Sequence, residues 1–203
     1  PMTCRIVAIF SVLLALAVPS PGRADTLEVF KGDVMLRAAS GEHPLTSSHD
    51  VGEALLSPDG AWIAYIRRPS AGESEVWLVD RDGRQPRRLL ASTADDDPKR
   101  NLTEFNTLAF APDGDRLYVQ TVAWATSNAI HEIHLPDGAE RYIIDGNDVT
   151  VVTQGRDRGH LLVERHGYRK GGGSFEAVWL VTPDGKPLRQ VAASMEEARR
   201  RWK

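Results

Sequence analysis

Cysteine is almost missing from this chain: Cys4 is the only one in 203 residues. It lies ahead of the apolar run Ile6–Val18, so a chain that has lost its leading segment carries no thiol. That excludes disulfides, thiolate metal ligands and a cysteine nucleophile, and leaves packing as the source of stability. A surplus of one charge is missing too. Lys and Arg number 25 against 28 Asp and Glu, a net charge of -3. No overall basic field draws the protein to nucleic acid or to anionic lipid. Long apolar runs are confined to Ile6–Val18, in which only Ser11 is polar, and that stretch is too short to span a bilayer. The remainder is ordinary, with 41% hydrophobic and 26% charged residues, the balance of a soluble globular protein of one or two domains rather than of a disordered chain.

The leading segment has the order of an export signal. Arg5 supplies a short positive region, the apolar run follows, Pro19 and Pro21 break it, and Gly22-Arg23-Ala24 offers small residues where a signal peptidase reads. Cleavage is expected after Ala24, with residues 25–203 delivered to the periplasm or secreted, and with no transmembrane span in the mature chain. A buried core helix explains the apolar run alone but not this sequence of features. Cys4 precedes the run, so it is not a lipoprotein anchor. Asn101-Leu102-Thr103 matches the glycosylation acceptor pattern, a three-residue match that is common by chance.

Self-similarity organises the rest. Ala54-Leu55-Leu56 leads into Ser57-Pro58-Asp59-Gly60 and then Ala61-Trp62-Ile63-Ala64-Tyr65-Ile66. At a spacing of 54, Leu108-Ala109-Phe110 leads into Ala111-Pro112-Asp113-Gly114 and Asp115-Arg116-Leu117-Tyr118-Val119. Each block is an apolar strand, a tight turn and a β-rich strand. Proline pre-sets φ, aspartate bonds back to the backbone, and glycine accepts positive φ. A second turn follows in each copy, Asp82-Gly83 after Val76-Trp77-Leu78-Val79 and Pro136-Asp137-Gly138 after Ile130–Leu135. A third, eroded copy runs from Val149–Val152 through a polar turn ending at Gly159 to Pro183-Asp184-Gly185. In a partial copy at the front, Val34-Met35-Leu36 reads as a third strand, Ser40-Gly41 as its turn and Pro44-Leu45-Thr46 as a fourth strand.

The unit is an antiparallel four-stranded meander of roughly 40 to 45 residues, the size of one propeller blade. The fold class is therefore all-β, a β-propeller-like array of about three and a half to four blades with a short C-terminal helix. The expected divisions are a signal peptide over 1–24, the repeat domain over 25–193 and a helical tail over 194–203. The tail opens on a Ser194 cap with acids first and bases last, placed to cover an open strand edge or to fray.

The block Ser57–Tyr65, with Glu75-Val76-Trp77-Leu78-Val79-Asp80 and Leu89-Leu90 behind it, resembles the repeats of TolB-like periplasmic β-propellers. It is also similar to the propeller domains of prolyl-oligopeptidase and dipeptidyl-peptidase-type serine hydrolases. The resemblance covers about residues 27–192 and implies a repeat, not a function. Closed propellers of these families have six or more blades, so this count leaves an open ring, a very small one, or one completed by a second chain. No Gly-x-Ser-x-Gly nucleophile elbow occurs in the sequence.

In a meander the tight turns fall on one rim and the longer connections on the other. That second rim collects Arg67, Arg68, Trp124, His166, Tyr168, Arg169 and Lys170, together with Asp95–Arg100. Arg, Tyr and Trp carry interface energy more often than other residues, so this rim is the expected partner surface, beside the plainer reading of solvated loops. Asp95-Asp96-Asp97 lacks the spaced ligands and distal glutamate of a calcium loop. His131 and His134 point to opposite faces of one strand, and His43, His49, His160 and His166 show no ligand spacing. No metal or cofactor is expected, and no Ser, His and Asp fall into a catalytic pattern. The expected function is a non-catalytic exported scaffold that binds a protein or envelope component and no nucleic acid. A homodimer through open strand edges is a further expectation. The alternative is the propeller part of a prolyl-oligopeptidase-type peptidase without its hydrolase domain.

Overall fold

A computed structural model describes residues 25–38 and 41–202, and the expected leader and Ser40 lie outside them. The first sheet holds β1 (Thr26–Phe30), β2 (Asp33–Ala38) and β3 (Gly41–Pro44). The second holds β4 (Val51–Leu56), β5 (Trp62–Arg67), β6 (Glu75–Asp80) and β7 (Arg87–Ala91). The third holds β8 (Asn106–Phe110), β9 (Arg116–Thr121), β10 (Ala129–His134) and β11 (Glu140–Asp145). The fourth holds β12 (Asp148–Val151), β13 (Leu161–Tyr168), β14 (Ser174–Val181) and β15 (Pro187–Ala192), and α1 (Met195–Arg201) follows. Every sheet is an antiparallel meander in sequence order.

The turns hold as their chemistry dictates. The Asp59 carboxylate accepts from the Ser57 hydroxyl at 2.6 Å and from the Ala61 N–H at 3.0 Å, while the Gly60 N–H donates to the Ser57 carbonyl at 2.9 Å. Gly60 takes φ 71°, a region that a side chain disfavours. In the next copy Gly114 donates to the Ala111 carbonyl at 3.0 Å and Asp113 accepts from the Asp115 N–H at 3.1 Å.

Alternation then stacks the sheets. Along β5, Ile63 and Tyr65 face the first sheet with Val34 and Val79, whereas Ala64 and Ile66 face the third with Leu117, Val119 and Ile133. Tyr118, on the other side of β9, faces the fourth sheet with Leu161 and Val163. No blade buries both of its faces alone, so the core is three interfaces in series. Truncating a fully buried isoleucine such as Ile63 to alanine costs about 2–5 kcal/mol at such a site.

The front unit is larger than its sequence suggested: three strands rather than two. β3 ends at Pro44, so Leu45 and Thr46 lie just beyond it, although the Leu45 N–H still donates to the Val34 carbonyl at 2.8 Å. The tail is helical, with the Glu197 N–H donating to Ser194 Oγ. Instead of covering a strand edge, α1 lies on the outer face of the last sheet. There Met195 and Ala198 are buried against Val152, Leu162, Val178 and Leu180. Arg199 ties it to Asp148 by two bonds of 2.9 Å. Among the described residues, no helix is long and apolar enough to cross a membrane.

Candidate binding rim

The loop rim gathers the β5–β6, β9–β10 and β13–β14 connections and the links between sheets. β13 and β14 are eight residues long where their counterparts have six, so the last hairpin carries its tip beyond the others.

Arg67 is not available to a partner. Its guanidinium donates to both oxygens of Asp50, at 2.7 to 3.1 Å, and lies 5.5 Å above the Trp77 ring. Those bonds hold the Asp50 carboxyl below its ordinary range and raise Arg67. The sequence showed an arginine on the rim but not the aspartate 17 positions earlier that claims it. Arg68 turns the other way, over Gly52, and donates to the Phe105 carbonyl at 3.3 Å. It forms one wall of a cavity of about 650 Å³ between the β5–β6 loop and the link into β8, with Glu73, Glu104 and Asn106 on the other walls. Glu104 and Thr107 flank this cavity at φ 51°, an unusual conformation for non-glycine residues and for a β-branched threonine above all.

The remaining predicted residues group on the third and fourth sheets. Trp124 packs edge to face on Tyr142 at 6.3 Å, and Lys99 lies 5.4 Å from the same ring. Burial pushes the Tyr142 hydroxyl up to about 12. His166 bonds Glu176 through Nδ1 at 2.7 Å and meets Tyr168 edge to face at 4.9 Å. Tyr168 is 72% exposed, and its hydroxyl lies 3.4 Å from Thr126 Oγ1 on the neighbouring loop. Arg169 lies 5.5 Å from the Phe175 ring and donates to the Ser174 carbonyl at 3.0 Å, so its position is fixed, and Lys170 is exposed. The structure therefore brings Tyr168, His166, Arg169 and Lys170 together beside the loop that carries Trp124, and sets Arg67 and Arg68 apart on the second sheet.

The acidic run is a pair of side-chain turns. Asp95 accepts from the Asp97 N–H at 2.8 Å and from Arg100 at 3.1 Å, and Asp97 accepts from the Lys99 N–H at 3.0 Å. Among the described residues no cluster of three metal-ligating side chains occurs. His131 is buried with Nδ1 2.5 Å from Glu140, whereas His134 is half-exposed beside Asp137. Sequence reading missed Phe30, 53% exposed on the same rim with Lys31 5.3 Å from its ring. The signal lay in Lys31-Gly32, a two-residue turn between β1 and β2.

Four antiparallel sheets stacked face to face, with β4, β8 and β12 lining an inner groove of about 470 Å³, define a β-propeller array. Its fold is that of TolB-like propellers. It is similar to a putative TolB from Agrobacterium tumefaciens, with a TM-score of 0.62 and 16% identity over 84% of this chain and 58% of that one. It is also similar to Porphyromonas gingivalis dipeptidyl peptidase 4, with a TM-score of 0.57 and 14% identity over 84% and 31%. A third likeness is to the β-propeller domain of the Trilobed protease from Pyrococcus furiosus, described as having an open velcro topology, with a TM-score of 0.53 and 13% identity over 78% and 48%. The chain thus spans three fifths or less of the solved chains named here. No protein-family model matches the sequence, and no curated protein matches it.

Proposed function

We propose that this protein is an exported, non-catalytic scaffold that holds a protein or an envelope component on its loop rim. The observation that carries the reading is the β13–β14 hairpin. It projects beyond its counterparts and presents Tyr168 at 72% exposure, while His166, Thr126 and the Arg169–Phe175 contact fix the tip in place. A rigid, exposed aromatic flanked by cations gains contact area at low entropic cost, which is how interface anchors work. Export is supported by the order of charge, apolar run, proline break and small residues in 1–24.

The test is capture from an envelope extract on the immobilised protein, repeated with the triple variant Tyr168→Ala, Arg169→Ala, Lys170→Ala. The triple variant is expected to unfold at the same temperature as the parent and to lose the captured partner at least about tenfold, the effect of one interface anchor. Capture unchanged by the variant contradicts the reading. Labelling of the purified chain by a serine-directed phosphonate contradicts its non-catalytic part.

A further inference from the structure

Asp-Gly pairs punctuate the sequence at Asp59, Asp82, Asp113, Asp137, Asp145 and Asp184. In all but one of them the folded chain keeps the carboxylate occupied. Asp59 accepts from the Ser57 hydroxyl at 2.6 Å and from the Ala61 N–H at 3.0 Å. Asp113 accepts from the Asp115 N–H at 3.1 Å and from Arg116 at 2.5 and 3.2 Å. Asp137 accepts from the Ala139 N–H at 3.0 Å and lies 2.7 Å from His134 Nδ1. Asp145 takes bonds of 2.8 to 3.1 Å from Arg165, and Asp184 accepts from the Thr182 hydroxyl. Those bonds hold the Asp59, Asp137 and Asp184 carboxyls below the ordinary carboxylate range.

Asp82 is the exception. Among the described residues its carboxylate meets only Arg84, at 3.9 Å, in a pair whose side chains are 69% and 78% exposed. So loose a contact in solvent does not hold a carboxylate in place. The cause is Asp80, the first residue of the same turn, which accepts from the Asp82 N–H at 3.0 Å and from the Arg84 N–H at 2.6 Å. Ser57, Ala111 and Thr182 stand at that place in the matching turns and leave the carboxylate bonding to the aspartate before the glycine. The turn amide does not distinguish the sites, because the N–H groups of Gly60, Gly83, Gly114 and Gly185 all donate back across the turn at 2.9 to 3.0 Å. Exposure alone does not either, since the Asp137 side chain is 62% exposed and still bonded.

We propose that Asp82-Gly83 is a site of covalent self-modification, where the Gly83 amide closes on the free Asp82 carboxyl and converts the bond to an isoaspartyl linkage, while the other Asp-Gly pairs are spared in the folded protein. The Gly83 nitrogen bonds to Cγ of Asp82, and the amide proton leaves with the carboxyl hydroxyl as water, a carboxylate first taking a proton from solvent. The product is a five-membered imide, and glycine presents no side chain to hinder the approach. Water then adds across one of the two imide C–N bonds. Breaking the bond to the main-chain carbonyl routes the chain through Cβ and Cγ and frees an α-carboxylate; breaking the other restores aspartate. The inserted methylene lengthens the turn by one main-chain atom. Gly83 sits against Leu45, whose N–H donates to the Val34 carbonyl at 2.8 Å, so the change loosens the seat of the first sheet on the second. The site lies on the turn rim and does not depend on the partner reading of Tyr168.

The test holds the full chain for weeks at physiological temperature in mildly acidic buffer, then labels it with an isoaspartyl methyltransferase and radioactive S-adenosylmethionine and maps the label by peptide. In the folded protein Asp82 is expected to carry at least about tenfold more label than any other Asp-Gly site, because elsewhere a hydrogen bond to a charged carboxylate must first be released. In urea all the sites label at comparable rates. Thr182→Val removes the hydroxyl that holds Asp184 and raises its label at least about fivefold with Asp82 unchanged. Asp82→Glu, whose longer side chain closes the ring poorly, removes the label at position 82 and leaves the melting temperature unchanged. In the labelled fraction the Leu45 amide exchanges faster, while capture on the loop rim is unaffected. Label spread evenly over the folded chain, Asp82 labelled in urea but not when folded, or Asp184 indifferent to Thr182→Val overturns the proposal.

Discussion

Arg67 uses its whole guanidinium inside the molecule, against Asp50 and above Trp77. Arg67→Ala is expected to destabilise the protein by about 1–2 kcal/mol, because a charge-assisted bond at a half-buried site is lost, and to leave partner capture unchanged. Chemical denaturation beside a capture assay checks both halves. The same pair predicts a pH dependence. The Asp50 carboxyl is held below its ordinary range by Arg67, so it binds protons less readily folded than unfolded. Its contribution to stability is complete above the unfolded value, about 3.9, and disappears as pH falls through the lower folded value. The difference in melting temperature between the parent and Asp50→Asn is expected to shrink as pH is lowered from 6 toward 3. A difference constant across that window contradicts the assignment. Tyr168 is the opposite case, exposed and oriented but not committed to the core.

At the scale of the element, α1 does for the last sheet what the next blade does for the others. Met195 and Ala198 cover Leu162, Val178 and Leu180, and Arg199 reaches β12. Met195→Ala is expected to cost about 2 kcal/mol or more and to speed amide exchange in β14 before it affects β5. Equal acceleration in both strands contradicts the view that the interfaces are in series. The repeat was legible in the sequence because Ser57-Pro58-Asp59-Gly60 and Ala111-Pro112-Asp113-Gly114 state their turn geometry in residue types. β1 was not legible, because a five-residue strand joined by a two-residue turn leaves no long alternation to detect. The seat of α1 on a sheet face was not legible either, since its cap and charges give a helix without saying what it rests on. Residue type placed Tyr168 and Arg169 on the rim but could not reveal that Asp50 had already engaged Arg67.

At the scale of the whole molecule, four sheets stack through three apolar interfaces, and the proposed function places the partner on one rim of that stack. The chain has no cysteine beyond Cys4. Its unfolding is therefore expected to be indifferent to reducing agent, and a melting temperature that drops on reduction contradicts stability from packing alone. The outward face of the first sheet carries the Glu28–Arg37–Glu42 ion pairs, at 2.7 and 3.1 Å, while the far end of the stack is covered by α1. Among the described residues neither end offers the apolar blade face that stacks elsewhere, so face-to-face stacking of two copies is not expected in light scattering. On the proposed function the loop rim, not the turn rim, meets the partner. The most direct measurement is photo-crosslinking in intact cells, with a photoreactive side chain placed at Tyr168 and, in a second protein, at Asp59. A discrete adduct from position 168 and none from position 59 is the predicted result. Adducts from position 59 alone, or equally from both, contradict it.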